Sequence, residues 1–178
     1  RYRLELVRSM RCIPVDLGHA RDERTAIAAA LDAGAREADV ILTSGGASAG
    51  DEDHVSALLR DAGALSAWRI AIKPGRPLAM AMWQGVPVFG LPGNPVSAMV
   101  CGTIFLVPML RVMLGLPAEP VPRETASLAA PLGKNGPREH YMRATLTENG
   151  VTAFDRQDSS LLSVLSAANA LLVRAPHD

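Results

Sequence analysis

The run Thr43-Ser44-Gly45-Gly46-Ala47-Ser48-Ala49-Gly50-Asp51-Glu52-Asp53-His54 holds the densest concentration of reactive and ligand-binding residue types in the chain. Gly45, Gly46 and Gly50 let the backbone pass close to an anion, and Ser44 and Ser48 add hydroxyls. The run follows apolar Asp39-Val40-Ile41-Leu42, which predicts a strand, and opens His54 to Arg60, which predicts a helix. Strand, glycine-rich turn and helix N-terminus together form a recurrent way of holding phosphate. Asp51 and Asp53 are acceptor-only when ionised; they suit Mg²⁺, directly or through water, and equally suit the helix N-terminus. His54 reads as a first-turn surface residue rather than a ligand.

Two further turns have anion chemistry. In Lys73-Pro74-Gly75-Arg76-Pro77, Lys73 ends an apolar strand that Pro74 and Gly75 cannot extend. Its ammonium and the forked Arg76 guanidinium suit a phosphate or an oxyanion. In Gly90-Leu91-Pro92-Gly93-Asn94-Pro95-Val96-Ser97, Asn94 suits a helix cap and Pro95 the first turn. Free N–H groups and the Ser97 hydroxyl would then face an anion. Asp22 suits the N-cap of another helix. Arg138, Glu139, His140 and Arg143 cluster, as solvated charge clusters do.

The elements needed to position these turns are legible in outline. Helices are predicted over residues 1–10, Glu23 to Ala38, His54 to Arg60 and Val96 to about Leu114. Strands are predicted over Cys12 to Leu17, Asp39 to Thr43, Trp68 to Ile72, Leu78 to Trp83 and Val86 to Gly90, with a hairpin turn at Gln84-Gly85. The alternation predicts an α/β fold: three layers, a mainly parallel sheet with helices on both faces, with ligands beyond the strand ends. Leu116 to Pro122 has three prolines and reads as a linker. Beyond it, Glu124 to Ala129, Tyr141 to Leu146, Val151 to Phe154 and Ala170 to Val173 predict a small all-β domain. The expected domains are therefore 1–116 and 117–178.

Bulk properties narrow the function class. The chain has 178 residues, 48% hydrophobic and 20% charged, which is ordinary for a globular protein. Its formal net charge is zero, so no general pull toward nucleic acid or a membrane surface is expected. Cys12 and Cys101 make neither a disulfide framework nor a zinc site and suit a reducing, cytoplasmic setting. Val96 to Leu116 is apolar but carries Pro108 and Arg111, and reads as a buried helix rather than a membrane span.

SGGASAGDEDHV, KPGRP and GLPGNPVSAMV, in this order and spacing, resemble the molybdopterin molybdenumtransferase family, which includes the bacterial molybdenum insertases and the E domain of gephyrin. The likeness runs through nearly the whole chain, including DSSLLSVLSAANALLV. It implies that residues 1 to about 115 are most of the molybdopterin-binding domain and the rest the small C-terminal β domain. Against the family pattern, two preceding domains, the first strand of the binding domain with its Gly-Asp-Glu turn, and the end of the tail are absent from this chain. Ala47 and Ala49 stand where valine or another larger residue is commoner.

The resemblance also implies a reaction: adenylylated molybdopterin and molybdate give molybdenum cofactor and AMP, with Mg²⁺ required. On this basis Asp22, Asp53 and Lys73 serve the nucleotide and metal chemistry, with Asp51 beside them. Ser44, Ser97, Gly93, Asn94 and the turn Gly45, Gly46, Ser48 and Gly50 line the pterin phosphate region. Arg76, Pro77, Arg143 and Ser159 or Ser160 hold molybdate. A homodimer of the full-length protein and contacts with a molybdopterin adenylyltransferase or a molybdoenzyme are further implications, with no nucleic acid or membrane partner. The alternatives are a molybdopterin adenylyltransferase, which shares the binding-domain fold, and a non-catalytic scaffold of the gephyrin type.

Overall fold

The computed structural model describes residues 2–45, 54–62, 65–67 and 70–178. Helices α1 (Tyr2–Ser9) and α2 (Arg24–Glu37) precede strand β1 (Ile41–Ser44). Helix α3 (His54–Asp61) and strands β2 (Leu65–Ala67), β3 (Ile72–Lys73), β4 (Ala79–Trp83) and β5 (Val86–Leu91) follow. Helices α4 (Pro95–Cys101) and α5 (Val107–Met113) flank a π-helical turn, Gly102–Leu106. Strands β6 (Glu139–Thr147) and β7 (Gly150–Ala153), helix α6 (Leu162–Ala167) and strand β8 (Ala170–Arg174) form the remainder.

The first sheet runs β1-β5-β4-β2. Strands β1 and β5 are parallel, with Ser44 opposite Leu91, while β4 is antiparallel to both β5 and β2. The sheet is thus mixed. Gln84 (φ 49°) and Gly85 (φ 82°) make the predicted two-residue turn, whose twist returns the chain antiparallel. Side chains alternate between the faces. Ile41, Ala79, Ala81 and Val88 pack with Ile27 and Leu31 of α2 and Val55, Leu58 and Leu59 of α3. Phe89 and Leu91 pack on the other side with Ala98, Val100, Cys101, Leu106 and Leu110. Helices therefore cover both faces, as the three-layer expectation requires. Each fully buried leucine contributes roughly 1.5–3 kcal/mol.

The helical run Pro95–Met113 is 19 residues long with a mean hydropathy of 1.9, enough by length and composition to cross a membrane. Its apolar face instead covers the sheet. Pro108 has no N–H to give and its ring would strike the carbonyl four residues back. The π turn relieves this conflict: the Val107 N–H bonds to the Gly102 carbonyl, five residues back.

Several expectations are corrected. No strand forms over Cys12 to Leu17, where Ile13, Val15 and Leu17 are exposed. A strand needs a neighbour for its backbone hydrogen bonds, and no described strand pairs with this stretch; a cavity of about 800 Å³ lies between it and β1. Of the strand expected over Trp68 to Ile72, residues 68 and 69 lie outside the described set. Ile72 and Lys73 pair with β6 of the second sheet, not with the first. The strand over Glu124 to Ala129 reduces to one bridge, Leu128 to Val151. The small C-terminal unit holds α6 as well as strands. Asp22 is not the N-cap of α2: Glu23 holds that position, without a side-chain cap bond.

Candidate functional site

The parallel register of β1 and β5 delivers two of the three turns side by side. Gly45 (φ 81°) donates its N–H to the Leu91 carbonyl at 3.3 Å, and a Cβ on Gly93 would lie 3.7 Å from the Gly45 Cα. Asn94 caps α4 as expected, accepting the Ser97 N–H at 3.1 Å. That N–H is therefore engaged, and the anion-binding N–H groups expected here do not include it. Gly46, Ser48, Gly50, Asp51 and Asp53 lie outside the described residues.

The third turn joins through α4. Gly75 (φ 107°) sits against Cys101, whose thiol donates to the Gly75 carbonyl at 3.5 Å. Lys73 and Ser97 thus line one cavity of about 500 Å³, with Pro74, Gly75, Arg76, Pro77, Arg138, Gln157, Asp158 and Ser159. Burial pushes the Cys101 thiol up to about 12, so it is a packing group and not a nucleophile. Cys12 is also a free thiol.

The second sheet builds the far wall. Strand β3 runs parallel to β6, with Ile72 opposite Glu139 and Lys73 opposite His140. The Glu139 N–H donates to the Ala71 carbonyl at 2.9 Å, and Arg138 Nη1 reaches the Ile72 carbonyl at 3.5 Å. This seam sets Lys73 and Arg76 across from Arg138. Arg143 lies behind the wall, fully buried. Its Nη2 donates to the Asp158 carbonyl at 3.2 Å, while Nε and Nη1 have no partner among the described residues. Burial draws its pKa down from the ordinary arginine value, and the Asp158 charge opposes that. Of the two adjacent serines, Ser159 lines the cavity, whereas the Ser160 N–H bonds Asp158 Oδ1 at 2.8 Å. The Ser160 bonds hold the Asp158 carboxyl below its ordinary range, so it stays ionised.

His140 reports the local field. It is buried, its Nε2 has no partner among the described residues, and its pKa falls to about 4, through burial first and then the charges of Lys73, Arg143, Arg174 and Arg138. A base whose folded pKa lies below its unfolded value of about 6.5 binds more protons when unfolded. Its stabilising share is whole above that value and is lost as pH falls toward about 4. Urea midpoints taken across this window are expected to show a loss of roughly 3 kcal/mol that His140→Gln removes. An identical pH slope in the variant would refute it.

The basic cluster was expected to be a solvated face. His140 and Arg143 are instead buried, and Arg138 lines the cavity. Arg138, Gln157 and Asp158 were missed as site residues; their only signal was proximity in sequence to Arg143 and Ser159. Asp22 is exposed and lines neither cavity. The Arg24–Asp61 ion pair fixes the start of α2 beside the last residue of α3, roughly 10 Å along that helix from His54.

Residues 4–112 match the family described as "Probable molybdopterin binding domain". The chain belongs to the molybdopterin molybdenumtransferase family. Residues 125–178 match the MoeA C-terminal region, domain IV. A molybdopterin molybdenumtransferase of Haemophilus influenzae is 37% identical over 110 residues, covering 62% of this chain and 27% of that protein. Molybdopterin molybdenumtransferase 2 of Mycobacterium tuberculosis is 35% identical over 161 residues, covering 86% of this chain and 40% of that one. The fold matches a molybdopterin biosynthesis MoeA protein from Pyrococcus horikosii with a TM-score of 0.80 at 23% identity, over 100% of this chain and 44% of that chain. This molybdenumtransferase family member therefore spans less than half the length of each of these three relatives.

Proposed function

We propose that this chain supplies the pterin-binding and oxyanion-binding part of an enzyme that combines adenylylated molybdopterin with molybdate, giving molybdenum cofactor and AMP. The observation that carries this reading is the cavity where Lys73 and Arg76 meet Arg138 and Ser159 across the β3–β6 seam, with the Arg143 guanidinium behind it. A tetrahedral dianion needs several converging cations and hydroxyls, and this wall offers them from the second sheet and the loops beside it. The second sheet favours this reading over an adenylyltransferase or a scaffold, because it provides Arg138, Arg143 and Ser159.

The division of labour follows position. Gly45 and Gly93, in abutting turns, allow the pterin phosphate close approach, and Asn94 holds the turn that presents Ser97. Lys73 stands at the junction of the pterin side and the oxyanion side, where it neutralises charge on the cleaved phosphoanhydride and on molybdate. Arg76, with Pro77 beside it, and Ser159 hold the oxyanion from the cavity wall, and the buried Arg143 guanidinium adds its charge from behind them. Catalysis then rests on positioning and charge neutralisation rather than on a covalent intermediate.

Mg²⁺ belongs to the same proposal through Asp22, Asp51 and Asp53. Of these only Asp22 is described, and no described group of three or more His, Cys, Asp or Glu could hold a metal ion. The described donors alone do not fit magnesium, and no step is assigned to it. A cytoplasmic setting, a homodimer of the full-length protein, and contacts with an adenylyltransferase or molybdoenzymes are likewise proposed from the family.

Lys73→Ala in the full-length parent is the direct test. AMP release is expected to fall about 100-fold or more. Because the Lys73 side chain is exposed, stability should stay within about 0.5 kcal/mol. Undiminished AMP release would remove Lys73 from the mechanism.

A further inference from the structure

Strand β6 is paired unevenly. Strand β8 occupies one edge from His140 to Ala144. The opposite edge is shared: β3 pairs at Glu139–His140 and β7 from Ala144 onward. Between them, residues 141–143 have no strand partner on that edge among the described residues. A side chain fills the end of this gap. Gln157 Oε1 accepts the Arg143 N–H at 2.9 Å, and Gln157 Nε2 donates to the Arg143 carbonyl at 2.9 Å. The same Nε2 donates to the Phe154 carbonyl at 2.7 Å, and the Phe154 N–H reaches the Arg143 carbonyl at 3.0 Å.

One amide thus stands in for a missing strand residue, meeting both backbone groups of Arg143. It also ties the following loop to that point. Asp158 offers its carbonyl to Arg143 Nη2, and Gln157, Asp158 and Ser159 all line the oxyanion cavity. A turn held only by solvent would leave Ser159 and the Arg143 guanidinium free to drift relative to each other. Small displacements of this kind are costly where several donors must converge on one small anion.

We infer that Gln157 is a positioning residue of this site: its carboxamide fixes Arg143 and the Ser159 loop in the relative placement that oxyanion binding requires. This inference rests on the proposed molybdate chemistry, which it deepens. Gln157 itself need not transfer a proton or act as a nucleophile.

Two variants of the full-length parent test it. Gln157→Met keeps length and packing but removes all three bonds. Gln157→Glu keeps the acceptor for the Arg143 N–H and replaces the donor with an oxygen facing two carbonyls. In both, the KM for molybdate is expected to rise about tenfold or more, with kcat and the KM for adenylylated molybdopterin within about twofold. Hydrogen exchange at the Arg143 amide should quicken in Gln157→Met and stay slow in Gln157→Glu. An unchanged molybdate KM, or equal losses for both substrates, would overturn the positioning role, as would unchanged exchange in Gln157→Met. If wild-type AMP release proves independent of molybdate, the proposed chemistry has failed instead, and the exchange data alone then decide what Gln157 holds.

Discussion

Arg143→Met in the full-length parent is expected to leave the fold intact, or to strengthen it, while crippling molybdate use. The guanidinium is fully buried, with two of its three nitrogens unpartnered among the described residues. Each unsatisfied buried donor costs about 1–3 kcal/mol, and more when charged. A methionine follows the aliphatic stem and stops short of the guanidinium end, so it fills most of the space with no charge to desolvate, at the loss of one hydrogen bond to the Asp158 carbonyl. A gain of about 1–3 kcal/mol in unfolding free energy is therefore expected, read from denaturant midpoints. The molybdate requirement for AMP release should rise steeply, and pterin binding should change less. Arg143→Ala should lose the same activity and also lose stability, since it leaves a cavity. Opposite stability signs with a shared functional loss would mark a charge retained for binding. A methionine variant with ordinary molybdate dependence would sink that role, and one as unstable as the alanine variant would sink the energetic argument.

Gly75→Ala is expected to damage both the fold and the site. Gly75 has a φ of 107°, where an L side chain is strained. A Cβ there would overlap Cys101 Sγ and come within 3.3 Å of Ile72 Cδ1. Neither neighbour can easily retreat, because both belong to the core. The combined cost is about 2–4 kcal/mol. The displaced loop also carries Lys73 and Arg76, so AMP release should fall with stability. Cys101→Ala clears the sulfur. The double variant should therefore recover part of the loss, and calorimetry should show clear non-additivity. Additive losses would mean that the backbone angle, not the contact with Cys101, sets the cost.

The parts of this molecule legible from the chain alone are those whose causes lie within a few residues. The Asn94 cap needs only Pro95 and Ser97 beside it. The Gln84-Gly85 turn needs two residues that accept positive φ. Helices α2, α3 and the run from Pro95 show their apolar period directly, and Gly45 and Gly93 mark close backbone approach. The family resemblance rested on a different local signal, the motifs SGGASAGDEDHV, KPGRP and GLPGNPVSAMV in this order. Failures came where a segment's state depends on distant residues. Cys12 to Leu17 has the composition of a strand but no described strand pairs with it.

The composite anion wall is a product of assembly. Nothing within Ile72-Lys73 tells which sheet it will join; its partner lies 67 positions away, and pairing there sets Lys73 and Arg76 opposite Arg138 and Ser159. Arg143 looked like one member of a solvated cluster until β7, β8 and Gln157 closed around it. Residue type and local spacing establish what a group can bind. Its burial, its unpartnered donors and the company it keeps arise from long-range strand pairing, which no short stretch of sequence contains.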